Sequence, residues 1–440
     1  MDNQIFVGTA GIVIALLLIF LRVPIGVSLA LVSILGIAIL TDLNVAFSII
    51  SSTPFNFVGQ WELSAAPMFL LMGYLCSETQ LTNGIFRFLQ MLLHRLPGGL
   101  AVSSVTACAI FSAASGSSVA TAGAMSKIAV PEMLKRGYDP SLATSTVAAA
   151  GTLGSLIPPS VLLILYGVYS NTSIGQLFMA GVLPGLLTVV LYFSMIIIRC
   201  KLNPDLDGRN KNPDESYSAL EIFKSLSQIW TLPALVLFVM VGIFYGWFSP
   251  TEAGAIGSIV ALLIAAFKRT LSFGAVKRAV VDATYSTANI FLIMIGSIFF
   301  TKFLALSGVP DAFTSFILSF SEEKWWVVLS VIFIYLILGM FVDSIGILLL
   351  TLPILLPLAE FANVDLIWFG ILLTKMLEIG LMTPPVGLNV YVIKATAPPN
   401  ISLEMIFKGI TWFIVCDLVF LAIIYVFPEV VTYLPSLMRK

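Results

Sequence analysis

The sequence predicts an all-α protein that crosses a membrane many times, as its composition, its apolar runs and an internal repeat indicate. Of the 440 residues, 59% are hydrophobic and only 10% are charged, whereas a soluble domain is about 45–50% apolar and about 25% charged. At about 20 residues for each spanning helix, this apolar content allows roughly a dozen spans. Lys and Arg total 22 against 23 Asp and Glu, so no basic field exists and no nucleic-acid partner is expected.

Cysteine and histidine usage argues against a transition-metal or redox site. The four cysteines are scattered without a CxxC pair, and His94 is the single histidine. Neither a zinc site nor a disulfide framework is therefore expected. Because the apolar runs also hold no paired aspartates and no Ser/Lys constellation, the chain is not expected to be an intramembrane enzyme.

Long apolar runs predict about ten membrane-spanning helices. The runs lie at roughly 5–21, 25–41, 63–80, 141–170, 178–198, 228–248, 251–267, 284–305, 366–395 and 406–427. Two more apolar stretches, 99–135 and 326–360, do not have the pattern of simple spans. Two shorter segments, 83–96 and 309–320, mix polar and apolar residues at helical spacing, which predicts helices lying in the membrane interface.

The positions of Lys and Arg set the predicted orientation. An N-terminus outside the cell places most of them on the cytoplasmic side, as the positive-inside rule requires. The polar stretch 199–218 is then a cytoplasmic linker between two halves of the chain. Just after an outside turn, Ser249, Pro250 and Glu252 have the spacing of a capping box with proline at the first helical position, which predicts a helix start.

The chain repeats itself at an offset of 226 residues. The matching residues are mostly helix breakers: Pro131 and Pro357, Gly154 and Gly380, Pro158-Pro159 and Pro384-Pro385, and also Ser118 and Ser344. Five predicted crossings separate the two copies, so the second copy is inverted in the membrane. Two inverted-topology repeats of this kind are typical of secondary transporters.

Each copy contains an apolar segment that is broken in its middle. The break is small and polar at 115–118 in the first copy, and it contains Asp343 and Ser344 in the second. Basic residues flank the first segment and acidic residues the second, so we predict two re-entrant helical hairpins that enter from opposite sides. Asp343 costs about 2.5–3.5 kcal/mol in an apolar stretch, which indicates contact with a sodium ion or a substrate; the alternative is an interfacial position.

Each copy also contains a span interrupted by two prolines, at 151–159 and 380–387. Two prolines remove two backbone donors, so carbonyl groups of the preceding turn lose their partners. At membrane depth such groups are tolerated only in a protein-lined or wet cavity. Carbonyl and hydroxyl oxygens suit an alkali cation and helix N-termini suit an anion, so the pattern predicts coupled binding of both. The alternative is a pair of structural proline kinks.

Four further polar residues fall within predicted spans. Lys375 and Glu378 are spaced i, i+3 on one helix face and are expected to neutralise each other. Lys302 lies near the end of its span, where it could snorkel to the interface or reach a ligand. Asn389 lies one turn after Pro385 and either faces the cavity or is a structural amide.

At these residues the chain closely resembles the large membrane subunit of tripartite ATP-independent periplasmic (TRAP) transporters, the DctM type. The resemblance covers essentially the whole chain. Its motifs are Ala66-Pro67-Met-Phe-Leu-Leu-Met-Gly73, Ser115-Gly-Ser-Ser118, Leu156-Ile-Pro-Pro159, Pro250-Thr-Glu-Ala253 and Glu378-Ile-Gly-Leu-Met-Thr-Pro-Pro-Val-Gly387-Leu-Asn389. The last of these motifs is long and specific.

The resemblance implies an elevator-type sodium symporter for organic acids in the bacterial inner membrane, with Na+ as the coupling ion and no cofactor. It also implies two protein partners, a separate small four-helix membrane subunit and a periplasmic substrate-binding protein. Sodium site 1 is expected at Ser115, Gly116, Ser117, Ser118, Gly151, Thr152, Gly154 and Ser155, and sodium site 2 at Asp343, Ser344, Gly380, Met382 and Thr383.

The substrate contacts are harder to predict, because no arginine falls in the predicted core. Helix termini and hydroxyl groups are expected to hold the anion instead. The candidate contacts are Ser117, Ser118, Pro158, Pro384, Asn389 and Lys302.

The predicted division of the chain separates a sliding transport domain from a scaffold. Scaffold helices are expected at 1–80, 171–306 and 396–440, arm helices in the interface at 81–98 and 307–323, and transport-domain repeats at 99–170 and 324–395. Two other transport classes remain open. A sodium–carboxylate symporter of the divalent-anion type shares the hairpins but needs no binding protein, and a channel would hold an open pore instead of alternating hairpins.

Overall fold

The computed structural model describes residues 2–82, 84–208, 217–321 and 323–438, and every regular element among these is helical. The first half contains α1 (Asp2–Phe20), α2 (Ile25–Leu40), α3 (Leu43–Val58), α4 (Ala65–Glu78), α5 (Ile85–Leu93), α6 (Gly99–Ser115), α7 (Ser118–Lys135), α8 (Pro140–Gly151), α9 (Leu153–Leu156), α10 (Val161–Ser170) and α11 (Ile174–Leu202). The second half contains α12 (Ala219–Ile229), α13 (Thr231–Phe244), α14 (Pro250–Phe267), α15 (Phe273–Ser307), α16 (Val309–Phe320), α17 (Lys324–Gly339), α18 (Ser344–Phe361), α19 (Leu366–Met382), α20 (Leu388–Thr396), α21 (Leu403–Val426) and α22 (Glu429–Leu437).

Long apolar helices make this a multi-pass membrane protein. By length and composition, seven helical segments of the described residues can cross a membrane, or eight if the bent pair 220–226 and 231–244 forms one span. The predicted runs at 25–41 and 63–80 correspond to helices of 16 and 14 residues. Since such helices rise only about 21–24 Å, less than the hydrocarbon core of about 30 Å, the count of about ten spans stays a prediction.

Three helices were missed by the sequence analysis because they mix polar and apolar residues. The first is α3, whose N-cap residue Asp42 accepts hydrogen bonds from the backbone of Asn44 and Val45. The second is α12, which starts with a capping box of Ser218 and Glu221. The third is α22 at the C-terminal end. The predicted linker at 199–218 was also drawn too wide, because α11 continues to Leu202; residues 209–216 lie outside the described residues.

The predicted local features of the two copies are present. The first hairpin segment forms α6 and α7 with a break at 116–117, and the second forms α17 and α18 with a break at 340–343. The first proline-broken span consists of α8, α9 and α10, and the second of α19 and α20. Adding 226 to the bounds of α7 gives the bounds of α18, and α8 and α19 start at corresponding residues. Both Pro-Pro peptide bonds are cis.

The helices pack in two groups. The hairpin group consists of α6–α11 and α17–α22, in which α8 packs on α6, α7 and α21, and α19 packs on α17 and α18. The outer group consists of α1–α4 and α13–α15, in which α15 packs on α2 and α4. α5 lies against α6, and α16 lies against α18 and α1. Two helices in regions predicted as scaffold, α11 and α21, therefore pack mainly within the hairpin group.

Candidate functional site

Both hairpin breaks line one cavity between the two groups of helices. The cavity has a volume of about 370 Å³, within the range of 300–1,000 Å³ typical of small-molecule sites. Its polar lining comes from Ser115, Gly116, Ser117, Ser118 and Ser155 of the first copy, Asp343 and Ser344 of the second, and Tyr74, Ser77, Ser286 and Asn289 of the outer group. The structure thus brings together seven residues that the sequence predicted for two separate sodium sites.

The first hairpin break is shaped by a glycine and two serines. α6 ends at Ser115 and is capped by Gly116, which has a φ of +61°. A Cβ on Gly116 would lie 3.0 Å from the Pro159 carbonyl oxygen. Glycine alone enters this left-handed conformation without strain. Ser117 then caps α7 by accepting a hydrogen bond from the Ala120 amide. The break therefore directs the N-terminus of α7 at the cavity.

The first break is bonded to the broken span behind it and to α19. Ser118 Oγ lies 2.7 Å from Ser155 Oγ and donates to Glu378 Oε2 at 2.7 Å. A Cβ on Gly154 would lie 2.7 Å from the backbone carbon of Ser117. The two copies thus meet at Ser118, through a carboxylate that the sequence analysis did not assign to the site.

The second break has the same construction. Asp343 caps α18 by accepting a hydrogen bond from the Gly346 amide at 3.2 Å, and Ser344 is the first helical residue. Ser344 Oγ is buried without a hydrogen-bond partner among the described residues. Gly339 and Gly380 touch backbone to backbone, since a Cβ on either would lie within 2.7 Å of the other's Cα. This contact holds the second hairpin against α19.

Six of the predicted sodium-site residues do not line the cavity: Gly151, Thr152, Gly154, Gly380, Met382 and Thr383. They lie in the broken spans directly behind the breaks. The hydroxyl groups of Thr152 and Thr383 each donate to a carbonyl of their own helix at 2.6 Å. These two hydroxyl groups are therefore occupied locally, and these six residues offer mainly their backbone oxygens as ion ligands.

The predicted substrate contacts are divided between the cavity and other places. Ser117 and Ser118 line the cavity, whereas the other four residues are not among its lining residues. Pro158 is buried and Pro384 is exposed. Asn389 is fully buried and donates to the Ala148 carbonyl at 3.3 Å, and Lys302 donates to Thr53 Oγ1 at 2.7 Å. Asn389 therefore joins α20 to α8, and Lys302 joins α15 to α3.

The expected ion pair between Lys375 and Glu378 is wrong. Lys375 Nζ lies 2.6 Å from Asp417 Oδ1 of α21, and Tyr192 of α11 donates to the same carboxylate at 2.9 and 3.0 Å. All three side chains are buried. The i, i+3 spacing placed Lys375 and Glu378 on one face, but a closer acid from a distant helix takes the ammonium group. Glu378 Oε1 is buried without a hydrogen-bond partner among the described residues.

The polar residues of the outer group were also missed. Tyr74 Oη and Ser286 Oγ form a hydrogen bond of 2.7 Å beside the cavity, and Asn289 lies one turn after Ser286 on α15. Ser286 and Asn289 are polar residues at i, i+3 spacing in an apolar helix, which was an available signal. A second cavity of about 420 Å³ adjoins the first, with Asn289 and Asp343 lining both and Arg22 lining the second.

The sequence model of the family described as "Tripartite ATP-independent periplasmic transporter, DctM component" matches residues 12–430. The chain belongs to this family. The resemblance seen in the sequence motifs is thereby confirmed. As a DctM-family protein, the chain is a transporter permease subunit and not an enzyme, in keeping with the names of its relatives.

Relatives of this DctM-family chain match over nearly its full length. The sialic acid TRAP transporter large permease protein SiaM of Vibrio cholerae is 32% identical over 96% of this chain and 96% of that protein. The C4-dicarboxylate TRAP transporter large permease protein DctM of the same species is 32% identical over 94% of each. The isethionate TRAP transporter permease protein DctMQ of Oleidesulfovibrio alaskensis is 31% identical over 96% of this chain and 64% of that protein.

A solved structure also has this fold. The crystal structure of the Alcanivorax borkumensis YdaH transporter superimposes with a TM-score of 0.63 and covers 87% of this chain and 90% of that chain. At 15% sequence identity, this likeness concerns the fold alone.

Proposed function

We propose that this chain takes up an organic acid across the bacterial inner membrane by secondary active transport coupled to sodium. The observation that carries the proposal is the single cavity lined by both hairpin breaks. The relatives of this chain are named as transporters of sialic acid, C4-dicarboxylates and isethionate, all of which are organic anions. The family further supports a small membrane subunit and a periplasmic binding protein as partners.

The anion is proposed to bind between two helix N-termini. Ser117 and Ser118 are the N-cap and first residue of α7, and Asp343 and Ser344 have the same positions in α18. Both helices are 18 residues long, and both begin at the cavity. A helix N-terminus presents unpaired N–H groups and a partial positive charge, which together favour an anion. The serine hydroxyl groups can donate further hydrogen bonds.

Sodium is proposed to bind between each break and the broken span that packs against it. Site 1 would use oxygens of 115–118 and of the broken span at 151–155, which pack together at Gly154. Site 2 would use Asp343, Ser344 and the backbone at 380–383, which pack together at Gly339 and Gly380. Ions at these places would fix the breaks before the anion binds, so that a partly loaded site is less able to cross the membrane.

Transport is proposed to proceed by movement of the hairpin group against the outer group. We include α11 and α21 in the moving part, because Asp417 of α21 pairs with Lys375 of α19 and accepts a hydrogen bond from Tyr192 of α11 inside that group. With the N-terminus periplasmic, the end of α4 and the first half of α15 lie on the cytoplasmic side. The cavity borders both at Ser77 and Ser286, so the structure would correspond to the inward-facing state.

The proposal is tested in proteoliposomes that contain this chain and its small subunit. Succinate, sialic acid and isethionate are offered with the cognate binding protein, with and without an inward sodium gradient. Uptake of one anion that needs both the gradient and the binding protein is expected. Uptake without the binding protein would favour the divalent-anion type of symporter, and uptake without the gradient would contradict the sodium coupling.

A further inference from the structure

Arg22 lies at the edge of the proposed transport path. It lines the 420 Å³ cavity that shares Asn289, Ile293, Asp343 and Leu388 with the cavity between the hairpin breaks. Arg22 and Asp343 are the two charged side chains that line this second cavity. The two cavities adjoin through these shared residues, so Arg22 lines the space next to the cavity between the breaks.

The backbone of Arg22 is in a conformation that favours glycine. α1 ends at Phe20, and Arg22 follows with a φ of +67°. The Arg22 amide donates to the Ile19 carbonyl and the Val23 amide to the Leu18 carbonyl, which is the hydrogen-bond pattern of a helix C-terminus closed by glycine. A side chain in the left-handed region costs free energy that glycine avoids. An arginine at this position therefore points to a role for its side chain.

Within the described part of the chain, the Arg22 side chain has no ion-pair or hydrogen-bond partner. The ion pairs there involve Glu132, Glu78 and Asp417 with other cations, and the Arg22 guanidinium takes part in no described hydrogen bond. A guanidinium group is planar and always charged, and it binds a carboxylate through two parallel hydrogen bonds. Asn289, which lines the same cavity, adds an amide donor.

We propose that Arg22 and Asn289 form a second binding position for the transported anion, at the cytoplasmic mouth of the cavity. The carboxylate or sulfonate of the substrate would pass from the N-termini of α7 and α18 to the guanidinium group as it leaves. This inference rests on the proposed function and on the orientation that places the turn between α1 and α2 in the cytoplasm. It also supplies the arginine that the sequence analysis did not place in the core.

A position on the release side predicts an asymmetric effect. Removing the charge of Arg22 should weaken binding of the anion from the cytoplasmic side and leave binding from the periplasmic side unchanged. Because Arg22 would act on the anion and not through Asp343, the sodium dependence should also stay unchanged. A residue that only closes the end of α1 would have none of these selective effects.

The test uses the complete membrane complex in proteoliposomes and measures counterflow of whichever of succinate, sialic acid and isethionate the wild type transports. Arg22→Gln should raise the half-saturation concentration on the cytoplasmic side about tenfold, and Arg22→Lys should recover part of the loss. Arg22→Gly should raise the melting temperature and still show the weakened binding. The matched control is Arg269→Gln, since Arg269 also has a positive φ after a helix end but lines none of the described cavities.

Several results would overturn the inference. Unchanged cytoplasmic half-saturation in Arg22→Gln would do so, and so would an equal change on both sides. A shift in sodium half-saturation without an anion effect would show that Arg22 acts through Asp343. An equal effect of Arg269→Gln would show that these arginines serve only to anchor lipid headgroups. A wild-type complex that transports none of the three anions would instead contradict the proposed function on which the inference depends.

Discussion

At the scale of single residues, Glu378 is a buried carboxyl group at the meeting point of the two copies. One oxygen accepts a hydrogen bond from Ser118, and the other has no partner among the described residues. Lys375, three residues away, is paired with Asp417. An ionised carboxylate in such a place requires a compensating cation. The proposed sodium at site 1, next to Ser118, would supply that charge.

Glu378→Gln keeps the shape of the side chain and its hydrogen bond to Ser118 but removes the charge. The half-saturation concentration for sodium is expected to rise about tenfold in this variant, because a sodium site without a negative charge beside it binds the cation less strongly. The measurement is the sodium dependence of uptake in proteoliposomes. Glu360→Gln, at an exposed position near the end of α18, is the control. An unchanged sodium dependence in Glu378→Gln would contradict the proposed role.

The Lys375–Asp417 pair gives a second residue-scale prediction. Lys375→Met should lower the free energy of unfolding by about 3–5 kcal/mol, because Asp417 would remain buried without its cation. The triple variant Lys375→Met/Asp417→Leu/Tyr192→Phe removes every polar group of the cluster and should recover most of that loss. Melting of the purified protein in detergent measures both. A single variant as stable as the wild type would show that the pair is not a packed structural element.

The residues of the candidate site and their partners could be predicted from the sequence only in part. Polar types at broken segments revealed Ser115, Ser118, Asp343 and Ser344, because helix breakers and buried polar groups leave a direct signature in an apolar chain. The partners of Lys375 and Glu378 could not be read, since Asp417 and Ser118 are far away in sequence. The same reason explains why Arg22 escaped notice: only the packing of α1 and α2 near the second hairpin brings it to the cavity.

At the scale of elements, the offset of 226 residues located the helix breaks between α6 and α7 and between α17 and α18, and both Pro-Pro interruptions, where the structure has them. Proline and glycine residues determine where a helix ends, so the same pattern of these residues in both copies predicts helices with the same bounds. The capping box at Ser249 and Glu252 is confirmed for the same reason, since its signal is entirely local. Helices with mixed polarity, such as α3 and α22, give no long apolar run and were missed.

The contact between the first break and its broken span predicts the effect of a single methyl group. In Gly154→Ala the new Cβ would lie 2.7 Å from the Ser117 backbone, so the break and the span must separate. A loss of about 1–3 kcal/mol of stability and a strong loss of sodium-dependent uptake are expected.

The matched control is Gly123→Ala in α7, where the Cβ would meet Val392 at an ordinary distance of 3.5 Å. This change should leave uptake near the wild-type level and stabilise the helix slightly. If Gly154→Ala behaved like Gly123→Ala in melting and uptake, the close contact would not matter for the site.

At the scale of the whole molecule, the proposed elevator mechanism requires that the hairpin group and the outer group move past each other. Tyr169 of α10 and Thr301 of α15 form a hydrogen bond across the boundary between the groups. Replacing both by cysteine and joining them with a reducible crosslinker should abolish uptake, and reduction should restore it. The four native cysteines are buried, which keeps background labelling low.

The control crosslink lies within the outer group. Ser258 Oγ of α14 donates to the Met68 carbonyl of α4 at 3.1 Å, so Met68→Cys/Ser258→Cys joins two helices that do not move relative to each other in an elevator. Uptake by this variant should survive crosslinking. Continued uptake through a complex crosslinked between residues 169 and 301 would exclude sliding of the two groups as the transport step.

The grouping of the helices was the least predictable feature from sequence. Hydropathy reports that α11 and α21 are apolar, but it carries no information about which neighbours they pack against. Their assignment to a scaffold followed from their position outside the repeats. In the structure both helices pack beside α19, where Asp417 pairs with Lys375 and accepts a hydrogen bond from Tyr192. Their assignment to a scaffold stays a prediction.

The ion pair between Asp417 and Lys375 joins α21, near the C-terminal end of the chain, to α19 behind the cavity. The last helix, α22, lies against α11 in the same body. In the proposed elevator movement, a fluorescent dye attached after α22 would move with the hairpin group, while an acceptor dye near the start of α1 would stay in place. The distance between these two dyes would report single transitions between the inward-facing and outward-facing states without any label near the bound ions.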